Sequence, residues 1–206
     1  MKKKIMIILA VLCIVLVMGC IFANARKKVI YKTFSAERTI LAENFDKLEE
    51  VSDLIVRAKV LSGKENILVD VPKNQGDILH GYTVTKIEIL QSFKGEVAGT
   101  PVSITEEYYT TQNMAGTTIW TQGNYLPAKE GVEYIFFLKA YEPGSKYEGM
   151  YFPVDLERGK YVVGIPDTFV PEKKGNISAE MLELKGDKDI MEYWKWYEQV
   201  AGKYIR

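Results

Sequence analysis

Apolar and polar positions divide the chain into an apolar head, a long middle of alternating segments and a helical tail. Lys2, Lys3 and Lys4 precede an unbroken apolar run from Ile5 to Met18, and no charge appears until Arg26. A basic start, an apolar stretch and the small-residue exit Ala23-Asn24-Ala25 are the parts of an export signal. Asn44 to Val51 then predicts a short helix. Asn44 can cap it, Asp46 suits the first turn, and Phe45, Leu48 and Val51 share a face.

Period-two alternation follows. Leu54, Val56, Ala58 and Val60 point one way, while Arg57 and Lys59 point to water. Gly, Pro, Asn and Asp between Ser62 and Gly81 predict a long loop or irregular hairpin arm. A long strand runs from Tyr82 to Phe93, and its apolar phase changes between Val84 and Ile87. That change predicts a bulge or bend near Thr85-Lys86. Pro101 to Thr105 and Thr117 to Trp120 read as further strands. Glu133 to Lys139 is apolar on both parities, as a central buried strand would be. Met150 to Val154 and Tyr161 to Gly164 read as a final pair. In the tail, Ile190, Tyr193, Trp194, Tyr197, Val200 and Tyr204 recur at helical spacing. This stripe either packs on the β domain or lies in a partner's groove or on a membrane.

Short antiparallel strands with one bent long strand predict a small barrel. Three segments carry a family resemblance. Ser52 to Val60 resembles the opening barrel strand of the tissue inhibitors of metalloproteinases. Tyr82-Thr83-Val84 through Phe93-Lys94-Gly95 resembles their second strand, with its lysine-glycine turn. Leu126, Gly131 and Tyr134-Ile135-Phe136-Phe137-Leu138 match the glycine and aromatic-rich strand of netrin-like domains. The resemblance spans Ser52 to Val163, and is shared with a group of secreted bacterial proteins. It implies a mainly β, five-stranded OB-type Greek-key barrel with a short N-terminal helix and an amphipathic C-terminal helix. Residues 1–25 then form a signal peptide or membrane anchor and 26–51 a tether with the short helix. Residues 52–165 form the barrel, and 166–206 a linker and the C-terminal helix. In that family, inhibition relies on an N-terminal cysteine that chelates the target's zinc and on disulfides that hold it.

Cysteine usage bears on both the leader and that activity. Cys13 and Cys20 both lie in the leader, so the exported domain has no internal disulfide. In one reading Val17-Met18-Gly19-Cys20 acts as a lipobox, with cleavage before Cys20, whose thiol would carry diacylglycerol. Alternatively, cleavage follows Ala25, or the uncut run stays as an anchor near the ~20 residues needed to span. Lipidation at the Cys20 thiol together with acylation of its amine would leave no free amine for zinc, which argues against classical inhibition. Fold analogy alone does not carry function.

Charge narrows the partners. The chain is formally neutral, but the first twenty residues hold three lysines and no acid. The remainder carries 24 basic against 27 acidic residues, a net of −3, which gives no case for nucleic acid. His80 is the single histidine, so a Cys/His zinc site cannot be built, and no Gly-x-Ser-x-Gly elbow accompanies it. Glu106 and Glu107 would point to opposite strand faces and are expected as solvated edge charge. Asp187 and Asp189 suit the start of the C-terminal helix. Tyr108, Tyr109, Trp120 and Tyr125 remain as candidates for partner binding on a barrel face, or else they cap the core. The chain is therefore expected to be a non-enzymatic, exported binding module that uses no cofactor or metal. It would be tethered to the membrane through its N-terminal segment or lipid, and bind an envelope or extracellular protein. The alternative is an inhibitor of an extracellular protease.

Overall fold

The computed structural model describes residues 28–34, 42–69, 80–97, 99–113, 116–164, 179, 181–186 and 190–205, with 13 and 14. Cys20, Ala25, Asp187 and Asp189 lie outside the described residues. Among the described residues, no helix is long and apolar enough to cross a membrane.

The chain forms two compact units. The smaller comprises residues 1–33 and 110–120. It holds most of a three-stranded sheet in the order β1 (Val29–Phe34), β7 (Gly116–Gln122), β6 (Tyr108–Asn113). The larger unit, residues 34–109 and 121–206, contains a closed barrel. Its five strands are β8 (Glu133–Ala140), β2 (Leu54–Val60), β4 (His80–Lys94), β5 (Val102–Glu106) and β9 (Tyr151–Pro153), and β9 pairs back to β8. The closed five-stranded cylinder is consistent with an OB-like fold. Two strands extend it: β3 (Glu65–Val69) pairs with β4, and β10 (Lys160–Val162) pairs with β8.

Alternation sorts the core into two layers. Leu54, Val56, Ala58 and Val60 of β2 cluster with Tyr134, Phe136 and Leu138 of β8, and with Ile87, Val102 and Ile104, inside the cylinder. The opposite parity of the same strands, Ile55, Ile135 and Phe137, is buried under helices α1 (Phe45–Val51) and α2 (Ile190–Val200). Both faces of β8 are therefore covered, which its double-parity apolar run requires. Each fully buried large side chain contributes about 1.5–3 kcal/mol.

Helix α1 starts where the sequence places it. The Asn44 side chain accepts from the Lys47 N–H at 2.8 Å, and Asp46 lies in the first turn. Its last carbonyls are met from the strand turn: Lys94 Nζ donates to Glu49 O at 2.7 Å and Glu50 O at 3.0 Å. Gly95 follows at φ 79°, where an added Cβ would lie 2.3 Å from Asp53 O. The lysine-glycine turn thus docks the helix on the barrel. In α2, Tyr193, Trp194, Trp196, Tyr197 and Val200 are buried in the outer cluster, so the stripe packs on the barrel. A further turn, Ala201–Ile205, continues the helix to 16 residues.

Three local expectations are resolved by the structure, two of them as differences. Of the two alternatives for residues 62–81, 65–69 take the hairpin arm and not the loop: they form strand β3, antiparallel to β4. The irregularities of β4 fall at Leu90 and Phe93, opposite shifts between Arg57/Ala58 and Ile55/Val56 of β2, and not at Thr85-Lys86. There Thr83, Val84 and Thr85 are all buried, since the strand is covered on both sides at that level. Finally, β9 and β10 do not pair with each other. They occupy successive stretches of one edge of β8: Pro153 lies opposite Leu138, and Lys160 opposite Phe136.

Candidate functional site

A cleft of about 260 Å³ opens on the larger unit, where the starts of β4 and the end of β5 meet the loop after β8. Tyr82, Tyr141 and Tyr147 form its aromatic wall. The rings of Tyr82 and Tyr147 stand at 85° with centroids 5.2 Å apart, and Tyr141 lies 4.7 Å from Tyr147. Phe152 backs Tyr141 at 4.8 Å. Opposite are Phe34 and His80, 6.3 Å apart by ring centroids. Thr105, Glu107 and Gln122 supply polar atoms.

Local sequence explains these placements. Tyr141 directly follows β8, and Tyr147 sits in a polar turn between Gly144 and Gly149, both at positive φ. Thr105 Oγ1 and Tyr141 OH share a hydrogen bond of 2.6 Å that fixes the ring. Burial raises the phenol pKa of both Tyr82 and Tyr141; hydrogen bonding with Tyr147 adds to the rise at Tyr82, and the Glu107 charge adds to it at Tyr141. Gly81 has no room for a side chain: a Cβ there would lie 2.7 Å from Ile67 O and 2.8 Å from the Tyr109 side chain.

Strand alternation separates the cleft from a buried polar network. Thr105 and Glu107 line the cleft, whereas Glu106 between them is fully buried. This corrects the expectation of solvated charge at Glu106; Glu107 is exposed. Glu106 Oε1 accepts from Lys64 Nζ at 2.9 Å and from Thr85 Oγ1. Its Oε2 accepts from Tyr125 OH at 2.5 Å and from the Ala128 N–H at 2.8 Å. Lys64 Nζ also donates to Ala128 O at 2.5 Å and Tyr108 OH at 3.2 Å. Nearby, Lys160 Nζ donates to Leu126 O at 2.6 Å and lies 3.6 Å from Glu183 Oε2, which also accepts from Tyr134 OH at 2.6 Å. Burial pushes the Glu106 carboxyl up, but Lys64, Lys160 and the hydrogen bonds from Thr85 and Tyr125 outweigh it and hold it below the usual range. Burial dominates at Lys160 and brings its ammonium down to about 8, against the pull of Glu183 and Glu106.

The four aromatic candidates therefore fall in different places. Tyr108 and Tyr125 are brought together around Glu106 and are buried. Tyr109 is buried with its ring 5.9 Å from Phe34. Trp120 belongs to the smaller unit, where its Nε1 donates to Thr111 Oγ1 at 3.0 Å and Lys32 Nζ lies 5.0 Å from its ring. The sequence patterns do not single out Tyr82, Tyr141 and Tyr147, and His80, the single histidine, is exposed at the start of β4. A tyrosine inside the glycine-bounded turn 144–149 was the available signal, since polar loops that carry aromatics are common binding elements. Among the described residues, no group of three His, Cys, Asp or Glu side chains is arranged to hold a metal ion. No family model matches the chain, and neither does any curated protein.

Proposed function

We propose that this protein is an exported, membrane-tethered, non-enzymatic binding module of netrin-like class, whose tyrosine-lined cleft receives a protein partner in the cell envelope or outside the cell. The cleft carries this reading: three tyrosine rings, a carboxylate and hydrogen-bonding side chains converge on one open volume of about 260 Å³. Concave sites of this make-up, mostly aromatic with a few placed polar groups, favour recognition. The resemblance over Ser52 to Val163 and the leader with Cys20 support the class and the address.

Two experiments test it. Envelope cells carrying the full chain are cross-linked and the chain is recovered; the double variant Tyr82→Ala/Tyr147→Ala should lose the partner that the native chain captures. Equal capture by both removes the cleft from the function. Intact mass of the native protein should show a chain beginning at a diacylglyceryl-modified Cys20. A mass that begins at Arg26 would instead mean release by cleavage after Ala25, and would overturn the tether.

A further inference from the structure

The tyrosine cleft described above has the shape and charge of a cation cage. Tyr82 and Tyr147 meet at 85°, so they form a corner rather than the flat platform on which a sugar or base stacks. Two ring walls at right angles present negative π surface to a small charged group from different directions. Glu107 lines the same cleft, and its charge reaches Tyr141.

The chain also supplies its own example of the ligand. Lys146 Nζ lies 4.6 Å from the Tyr147 ring centroid and 5.8 Å from that of Tyr82. Lys146 is exposed and sits in the turn between Gly144 and Gly149. Its water-exposed ammonium therefore lies against these two rings and also hydrogen-bonds with Tyr147. Losing one such exposed contact lowers affinity by no more than about fivefold.

We propose that the cleft binds the protonated side chain of a lysine presented by the partner protein, which competes with Lys146 for the rings of Tyr82 and Tyr147. This rests on the binding-module reading and gives that module its ligand chemistry. Lysine is favoured over a quaternary headgroup because the ammonium seen against these rings is a primary one that also hydrogen-bonds with Tyr147, which a quaternary group cannot do.

The test uses the full chain with labelled tyrosines, observed by NMR. The probes are Nα-acetyl-lysine-N-methylamide, its uncharged norleucine analogue and choline. The lysine probe should shift Tyr82, Tyr141 and Tyr147 together, and bind at least about twofold tighter than the norleucine probe. Glu107→Gln, a change at an exposed position, should weaken the lysine probe and leave the norleucine probe unchanged. Lys146→Ala should tighten the lysine probe. Equal binding of lysine and norleucine probes overturns the cation assignment. Choline binding tenfold tighter than lysine overturns it in favour of a headgroup, and the absence of any tyrosine shift at tens of millimolar overturns it outright. Partner capture that is lost in Tyr82→Ala/Tyr147→Ala but unaffected by the lysine probe sinks this inference alone. Capture that ignores those variants sinks the binding reading beneath it.

Discussion

Glu106→Gln should destabilise the larger unit by about 3–5 kcal/mol, the cost of breaking a buried ion pair from one side. Four donors converge on the two Glu106 oxygens: Lys64 Nζ, Thr85 Oγ1, Tyr125 OH and the Ala128 N–H. Glutamine keeps one acceptor oxygen and turns an amide N–H₂ towards the other two donors. Each buried donor left unmet costs about 1–3 kcal/mol. Lys64 retains Ala128 O and Tyr108 OH, and 15% of its side chain stays exposed, so the low end applies. Urea unfolding followed by tryptophan fluorescence should show the midpoint falling by about 1–3 M at unchanged m. The double variant Glu106→Gln/Lys64→Met removes the stranded cation and should recover part of the loss. The pH dependence has a defined sign. Because the folded pKa is depressed, the Glu106 contribution is complete above the unfolded value of ~4.3. It is lost as pH falls through the lower folded value. Glu106→Gln should flatten that acid limb. A penalty below about 1 kcal/mol, or a double variant whose penalties simply add, would refute this account.

Lys160 gives the opposite limb. Its folded pKa of about 8 lies below the unfolded lysine value, so between the two the unfolded chain binds a proton that the folded chain has released. Relative to Lys160→Met, native stability should rise by about 1–2 kcal/mol from pH 7 to 9.5; a flat difference in urea midpoints would count against it. Gly81→Ala forces a Cβ against Ile67 O and the Tyr109 side chain and should cost about 1–3 kcal/mol. A thermal melt that does not move would show that Tyr109 gives way.

Local rules made the scaffold legible. The Asn44 cap, the alternation of β2 and the double-parity run of β8 each have one structural solution once a core is available. The stripe of α2 was legible too, though Trp196 lies off it and is buried partly by its Arg158 contact at 4.9 Å. The site was not legible, because it depends on closure. Tyr82, Tyr141 and Tyr147 are separated in sequence and converge only when β9 returns to β8. Glu106 misled for the same reason: an acid beside another acid reads as surface until Lys64, from before β3, is folded under it. Tyr108 and Tyr125 looked like a binding patch, yet their hydroxyls belong to the Glu106 network.

The cylinder's closure has a weak seam. Strand β9 spans three residues and meets β5 through a single register pair, Ile104 with Tyr151. Local opening costs least where ladder bonds are fewest, so breathing should begin there. The tyrosine cleft straddles that seam: Thr105 lies on the β5 side, and Tyr141 and Tyr147 lie on the stretch leading into β9. A molecule gripped by both rims acts as a staple across the joint, and mass action then makes its affinity a contribution to the stability of the closed cylinder.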